Sequence, residues 1–496
     1  MIENNLEKKE KKPKLKNQKI LSCEYYEECN NNYYDINDFY KLYKYLKVED
    51  PKIQFKGLVC MRNLCQEEYR KENPKTFFNV LINNLMNFIK DYPEAFQNES
   101  LITLINIEKI NFKVNNKIKI TKECNLIDIV LSTIKNIKNL QNLNIKISTF
   151  NNYLKYIQII TKDINILEYM IKKELIDDII TIIKDFINEI DIIITCIKIF
   201  ANLFNKKENF DLDYSILLSL GEKDIKKSED IIKIEIDLMD KYPENIKLIK
   251  NILKSMNEFT LIDKKENLNL LIDLNILQKI IKLIDSKDGD IIYNSLRIIG
   301  NFAMNNDSFY TQQIINLNAL DKLKKTLKKE YDNINKNIRK ESSFALSNIA
   351  AGTKEQITKL YEDNFYPIFY DIIKNEEESF IKRNCLWSLY NFSCIKNQEY
   401  IEKLVKNGYM KIIIDRFDID HGETLACSLE ALDNLLDLGK KLKNQTINNF
   451  IEKEINTLEV FNAIKKLKKS NVEGVCQKKI NYILTNYFGV LDVNIL

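Results

Sequence analysis

The sequence is poor in the two residues that most often build tight turns. Its 496 residues include 10 Gly and 6 Pro, about 2 % and about 1 % where ordinary proteins carry about 7 % and about 5 %. Sandwiches, barrels and propellers depend on many such turns, so a sheet-rich fold is disfavoured. With 45 % hydrophobic residues, the chain can bury a long core, and an all-α fold is predicted.

Residues that carry catalysis and metal binding are scarce as well. A single histidine, His421, removes most zinc sites and most triads that use histidine as a base. The 10 Cys are scattered without a CxxC pair, which favours small buried side chains over a metal site. No GxGxxG or GxSxG motif occurs, and Gly439 and Lys440 lack the rest of a phosphate-binding loop. We therefore expect a protein that is not an enzyme, with no cofactor and no metal.

Long apolar runs are missing too. The most apolar stretch, residues 176–204, is interrupted by seven charged residues, which is typical of core helices with charged outer faces rather than of a membrane span. The N-terminus is polar and rich in Lys, without the apolar region of a secretion signal. We expect a protein of the cytoplasm or nucleus with no membrane partner.

Charge is distributed unevenly along the chain. The formal net charge of +4 equals the excess in residues 1–19, where seven Lys face three Glu. Residues 361–440 hold 15 acidic and 9 basic residues, and such a segment attracts basic partners. A body that is neutral overall binds polyanions poorly, so nucleic acid is not expected as a partner.

The main positive signal is a repeat. An Asn that follows an apolar helical run recurs at Asn301, Asn348, Asn391 and Asn434, with spacings of 47, 43 and 43 residues. Toward the N-terminus, the same register gives Asn63, Asn106, Gln158 and Asn202. The interval from Asn202 to Asn301 holds two periods, which implies a further unit near residues 250–257. Units of this length are typical of armadillo or HEAT repeats, which stack to bury a continuous core.

Three of these positions carry a further pattern. Phe344 precedes Asn348 by four residues, Trp387 precedes Asn391 by four, and Arg297 precedes Asn301 by four, so each pair shares one helix face. A row of Asn can hydrogen-bond the backbone of an extended peptide, and aromatic faces between them can hold Lys or Arg side chains. The alternative is that these residues only mark the cores of the repeats.

Several strings of the sequence resemble the importin-α family. ALSNIAAGTKEQI (345–357) is similar to its armadillo repeats nearly residue for residue, and SLRIIGN, SLEALDNLL and NYFGVLD fall where the family has similar strings. The resemblance implies a right-handed superhelical armadillo-repeat solenoid of about ten repeats. It also implies an adaptor that binds basic nuclear localisation signals, links them to importin-β, is recycled by an export receptor, and shuttles between cytoplasm and nucleus.

The family has two lysine-binding sites, and the resemblance places the minor one in repeats 6–8 of this chain. The residues implied for it are Arg297, Asn301, Thr311, Glu341, Phe344, Asn348, Trp387 and Asn391. One acidic residue expected in repeat 8 is replaced by Asn384. The major site, in repeats 2–4, keeps Asn106, Gln158 and Asn202 but has Ile102, Leu154 and Lys198 where the family has Trp. We therefore expect basic peptides to bind mainly in the minor-like site.

The resemblance also suggests a division of the chain. Residues 1–36 form a short, disordered basic arm, 37–290 divergent repeats 1–5, 291–440 well-matched repeats 6–9, and 441–496 a last repeat and tail. The arm stands where the family binds importin-β, but it is shorter and contains only Lys: Lys8, Lys9, Lys11, Lys12, Lys14, Lys16 and Lys19. A solvated tail and an autoinhibitory segment are alternatives for the arm. A scaffold that no longer binds general cargo is the alternative for the whole chain.

Overall fold

The elements in the described part of the chain are helices. In this computed structural model the described residues are 39–66, 81–113 (without 82–83, 86, 91 and 93), 126–136, 147–205, 221–262, 265–395, 398–415, 417, 422–443, 457–470, 472 and 474–490. The chain divides into two compact units, Met1–Glu235 and Ile236–Leu496. The unit boundary falls inside a helix.

The helices of the first unit are between seven and 21 residues long, and apolar and polar residues alternate along them with helical spacing. Their bounds are α1 (Phe39–Tyr45), α2 (Pro51–Gln66), α3 (Glu94–Lys113), α4 (Leu126–Asn136), α5 (Ile147–Ile160), α6 (Ile164–Lys172), α7 (Leu175–Asp185), α8 (Ile190–Phe204) and α9 (Gly221–Lys241), which contains the unit boundary.

The helices of the second unit follow the same pattern. They are α10 (Ile246–Thr260), α11 (Lys265–Asp273), α12 (Ile276–Leu283), α13 (Gly289–Met304), α14 (Ser308–Asn316), α15 (Ala319–Thr326), α16 (Ile338–Ala350), α17 (Lys354–Glu362), α18 (Phe365–Asn375), α19 (Ser379–Ser393), α20 (Gln398–Lys406), α21 (Tyr409–Asp415), α22 (Gly422–Lys443), α23 (Thr457–Lys468) and α24 (Gly474–Phe488), with a 3-10 turn at Lys329–Asn333.

Five repeats of the described chain consist of two shorter helices followed by a longer one. In α17, α18 and α19, the first helix begins with a capping box in which Thr353 and Gln356 bond each other's backbone, and such a box satisfies otherwise unpaired N–H groups. Two residues separate the first helix from the second, and the third helix carries the ladder residue Asn391. This three-helix unit is the armadillo repeat, so the predicted all-α armadillo fold is confirmed.

The connection between the first two helices of a repeat has a recurring conformation. One residue there has a positive φ: Glu174, Asn275, Asn318, Asn364 and Gly408. Left-handed backbone is costly for most residues and tolerated best by Gly and Asn. Asn thus takes the role at three of these turns, which shows how a chain with so little Gly makes them.

The third helices pack on one another in order. In the first unit α2 contacts α3, α3 contacts α5, and α5 contacts α8; in the second, α10, α13, α16, α19, α22 and α24 contact each other in sequence. Their inner faces are filled by fully buried side chains such as Phe200, Phe302 and Phe392. Stacking in register therefore brings the ladder residues of successive repeats next to each other.

Each unit also contains a buried ion pair between repeats. In the first unit, Arg62 on α2 lies 2.9 Å from Glu99 on α3, whose side chain has no exposed surface. In the second, Arg339 on α16 is 2 % exposed and pairs with Glu376, just before α19, and with Asp332 at 2.8 Å. Such pairs cost a great deal when only one partner is removed.

Some predictions concern residues outside the described ranges. The basic arm of residues 1–36 and His421 lie there. No helix of the described residues is long and apolar enough to cross a membrane, and those same residues contain no cluster of potential metal ligands.

Candidate functional site

The ladder residues lie on the third helices, as their spacing predicts. Asn301 is on α13, Asn348 on α16, Asn391 on α19 and Asn434 on α22. The unit implied near residues 250–257 is α10, and its ladder residue is Asn257, which the sequence had not singled out. We call the surface formed by Arg297, Asn301, Phe344, Asn348, Trp387 and Asn391 the ladder face.

Some ladder amides are already used to hold one repeat to the next. Asn202 Nδ2 donates to the backbone oxygen of Gln158 at 2.7 Å and to Thr161 Oγ1 at 2.9 Å. Asn301 Nδ2 donates to Asn257 Oδ1 at 3.0 Å and to Thr260 Oγ1 at 2.8 Å. These amides stabilise the stack, so they are less available to a ligand.

Asn434 is held in the same way. Its Nδ2 donates to Ser393 Oγ at 3.3 Å and lies 3.6 Å from Cys394 Sγ. Asn348 differs, because its Nδ2 is buried and has no hydrogen-bond partner among the described residues. A buried amide without a partner costs about 1–3 kcal/mol, which an incoming acceptor could recover.

Two aromatic side chains stand one helical turn before Asn348 and Asn391. Trp387 is half-buried and lies edge-on to Tyr390, with their ring centres 6.2 Å apart. Phe344 lies against the backbone of the preceding third helix, where a Cβ on Gly300 would be 3.1 Å from its ring. Gly300 therefore lets the Phe344 ring approach α13, and both rings keep some exposed surface.

Charged groups line the neighbouring turns. Glu341 on α16 and Glu258 on α10 are both half-buried, and the positive charge of Arg297 on α13 attracts both carboxylates. Burial raises the pKa of each carboxyl above its ordinary value, and the Arg297 charge partly offsets this. Arg297 itself donates from Nη1 to Tyr293 OH at 3.2 Å. Two partly desolvated carboxylates thus lie beside Arg297, the cation of the ladder face.

Two residues named from the sequence lie differently from what a contact with a peptide requires. Thr311 is on α14, the first helix of the following repeat, and is 2 % exposed. Asn384, at the position where an acid was expected, is 6 % exposed and donates to Ser343 Oγ at 3.1 Å. Thr311 is therefore a core residue in this structure, and we no longer place it on the binding surface.

The ladder of the first unit lacks aromatic side chains at the matching positions. Ile102 and Lys198 are half-buried, and Leu154 has no exposed surface. Asn106 Nδ2 is buried without a described partner, whereas Asn202 is bonded to the preceding repeat. This surface could offer amides to a backbone but no clamp for a basic side chain.

The described residues have the armadillo-repeat fold. No family model matches the chain. A probable importin subunit alpha-A of Dictyostelium discoideum is 27 % identical over 165 residues, which are 32 % of this chain and 29 % of that protein.

Two solved structures are also similar to the chain. The crystal structure of an engineered protein superposes with a TM-score of 0.66 over 91 % of this chain and 99 % of its own, at 14 % identity. A designed armadillo repeat protein in complex with the peptide (KR)4 matches with a TM-score of 0.42 at 22 % identity, over 52 % of this chain and 97 % of that one.

Proposed function

We propose that this protein is an adaptor of importin-α type that binds basic nuclear localisation signals on the ladder face of repeats 6–8. The observation that carries the proposal is the pair of consecutive helices α16 and α19, each with an aromatic residue one turn before an Asn: Phe344 with Asn348, and Trp387 with Asn391. The aromatic faces hold the stems and charges of Lys or Arg. The amides hold the peptide backbone.

Electrostatics support a basic ligand. Glu341 and Glu258 are partly desolvated, and a Lys or Arg side chain that replaces or joins Arg297 relieves their unfavourable burial. The stretch of sequence similarity to an importin alpha supports the same reading. We further propose importin-β as the partner of the arm of residues 1–36, an export receptor as the partner for recycling, and shuttling between cytoplasm and nucleus.

The proposal is tested by fluorescence anisotropy of a labelled Lys-rich peptide at two salt concentrations. We expect salt-sensitive binding, because exposed charges are screened as salt rises, and a loss of at least about tenfold in the Trp387→Ala/Asn391→Ala double variant. Tyr482→Ala, an exposed aromatic residue on α24, is the matched control and should bind normally. The proposal would be refuted if neither the full chain nor the chain without residues 1–19 binds the peptide.

A second function is favoured by the first unit. Lys198 and Leu154 stand where a basic peptide would need aromatic rings, and Lys198 would repel such a peptide. An armadillo scaffold that has lost general cargo binding would have these features. It predicts no binding in the assay above, and that result separates the two functions.

Binding should also depend on pH through Glu341. Its raised pKa means that it takes up a proton at a higher pH than an exposed Glu, so attraction for a basic peptide is full near pH 7.5 and weakens toward pH 5. Glu341→Gln should reduce affinity about twofold to fivefold at pH 7.5 and flatten the pH profile. Glu377→Gln, exposed before α19, serves as the control, and an unaltered profile in Glu341→Gln would contradict the assignment.

A further inference from the structure

The partner of each ladder amide is set by a residue of the preceding repeat. Thr161, Thr260 and Cys394 each stand three positions after a ladder residue, at Gln158, Asn257 and Asn391. Each accepts from, or lies beside, the ladder Asn of the next repeat. An acceptor at this position therefore ties two adjacent repeats together.

The acceptor is absent at two consecutive repeats. Met304 stands three positions after Asn301 and is 52 % exposed, and Ala351 stands three positions after Asn348 and is exposed. Neither side chain offers a hydroxyl to the next amide. Correspondingly, Asn348 Nδ2 is buried without a partner in the described chain, whereas Asn202 and Asn301 each make two bonds.

The two repeats whose ladder Asn lacks this acceptor, those of Asn348 and Asn391, are also the repeats that carry the aromatic residues. Four positions before Asn202, Asn301 and Asn434 stand the charged residues Lys198, Arg297 and Glu430. Four positions before Asn348 and Asn391 stand Phe344 and Trp387. Asn106 Nδ2 has no partner among the described residues, but Ile102 stands four positions before it. Among the described repeats, an amide without a neighbour to hold it and an aromatic ring occur together only in these two.

We propose that the residue three positions after each ladder residue determines whether the next Asn binds its neighbouring repeat or a ligand. Within repeats 6–9, Met304 and Ala351 then leave the amides of Asn348 and Asn391 for recognition of a ligand backbone, whereas Asn301 and Asn434 are held by the preceding repeat. This inference rests on the proposed function, and its ligand is an extended basic peptide whose carbonyl oxygens accept from the two amides. Solvent does not reach Asn348 Nδ2 in the unbound protein, so a side chain must move slightly before a peptide can bind there. Met304, which lies in register with Asn348, can make this movement because its side chain is unbranched and flexible.

The experiment converts Met304 into the acceptor found in the tied repeats. Met304→Thr places a hydroxyl where Thr260 holds Asn301, so Asn348 becomes bonded to its own neighbour. We expect the affinity for the Lys-rich peptide to fall about fivefold to tenfold, the value of one hydrogen bond. Met304→Leu removes the thioether without adding an acceptor and should bind as the unmodified chain does.

A double-variant cycle separates this role from a general loss of folding. Asn348→Ala should weaken binding by a similar factor in the unmodified chain but by much less in the Met304→Thr background, because the amide is no longer available there. The thermal unfolding midpoint of Met304→Thr should be equal to or above that of the unmodified chain, since a buried donor gains a partner.

The outcomes distinguish the two proposals. If the unmodified chain does not bind the peptide, the proposed function fails. A raised unfolding midpoint in the Met304→Thr variant would then still support the hydrogen bond between Asn348 and residue 304. If the unmodified chain binds and Met304→Thr binds equally well, the inference is overturned and the proposed function stands. Equal losses from Asn348→Ala in both backgrounds would overturn the inference as well.

Discussion

Replacing Arg339 with Ala is expected to lower the free energy of unfolding of the second unit by about 3–5 kcal/mol. The guanidinium donates to the backbone oxygen of Leu327 at 2.8 Å and to Asp332 at 2.8 Å, and it pairs with Glu376. Without it, Glu376 remains as a charge at 7 % exposure. The loss is large because the carboxylate cannot regain water.

The pH dependence of this effect has a definite sign. Burial disfavours the charge on Glu376. The hydrogen bond and the charge of Arg339, together with the backbone N–H groups of Glu377 and Glu378, outweigh burial and lower the pKa of the carboxyl below its ordinary value. A lowered pKa in the folded state stabilises the protein above the unfolded pKa, and this contribution is lost as pH falls through the folded pKa. The difference between the two chains should therefore be smaller at pH 4 than at pH 7.

The measurement can use the only tryptophan of the sequence. Trp387 lies on α19, the helix that Glu376 precedes, so its fluorescence during urea unfolding reports on this part of the chain. Arg383→Ala is a matched control, because Arg383 is half-buried on α19 and contacts the Phe380 ring without a buried carboxylate. An unfolding midpoint unchanged by Arg339→Ala would show that the buried pair contributes nothing to stability.

Arg62→Ala should have an effect of similar size in the first unit, about 3–5 kcal/mol. Arg62 lies 2.9 Å from Glu99, which has no exposed side-chain surface, and it also donates to Asn63 Oδ1 at 3.0 Å and 3.2 Å. Removing the arginine leaves the carboxylate charged and out of contact with water, or forces it to take up a proton.

The loss of stability in Arg62→Ala should be detected by circular dichroism but not by the fluorescence of Trp387. The first unit contains no tryptophan. Far-ultraviolet circular dichroism, which reports secondary structure, should therefore show helix lost at a lower urea concentration than Trp387 fluorescence reports. Such probe-dependent transitions are the sign of unfolding that is not two-state. Lys52→Ala on the exposed face of α2 is the control. Coincident transitions at the unmodified midpoint would contradict the prediction.

The fold was predictable from the sequence because the repeat signal is carried by long helices with regular spacing. The apolar run before each Asn predicts a buried third helix, and this is where Asn301, Asn348 and Asn391 lie. Asn257 was missed because Asn245 and Asn251 stand close to it in the same apolar pattern, so the sequence did not show which residue takes the ladder position. The positive-φ residues were missed because Asn is abundant throughout, so its occurrence at a turn does not stand out.

The site was only partly predictable, because side-chain partners depend on neighbouring repeats. The sequence placed Phe344, Asn348, Trp387 and Asn391 on the right helices, but it could not show that Asn301 is engaged by Asn257 and Thr260. Thr311 was implied by the family resemblance, and a resemblance between sequences does not show whether a side chain is buried. Thr161 and Thr260 each stand three positions after a ladder residue, but this spacing has no meaning in the sequence until the hydrogen-bond partner of each amide is known.

The left-handed turns described above bear on how such a chain can change over time. They lie at Asn275, Asn318, Asn364 and Gly408, in connections that contain no ladder residue. Substitutions on the third helices can therefore alter what is bound without disturbing the turn that orients the first two helices. An intact array can therefore have aliphatic or charged residues at this position in some repeats, as at Leu154 and Lys198, while other repeats carry aromatic residues there, as at Phe344 and Trp387.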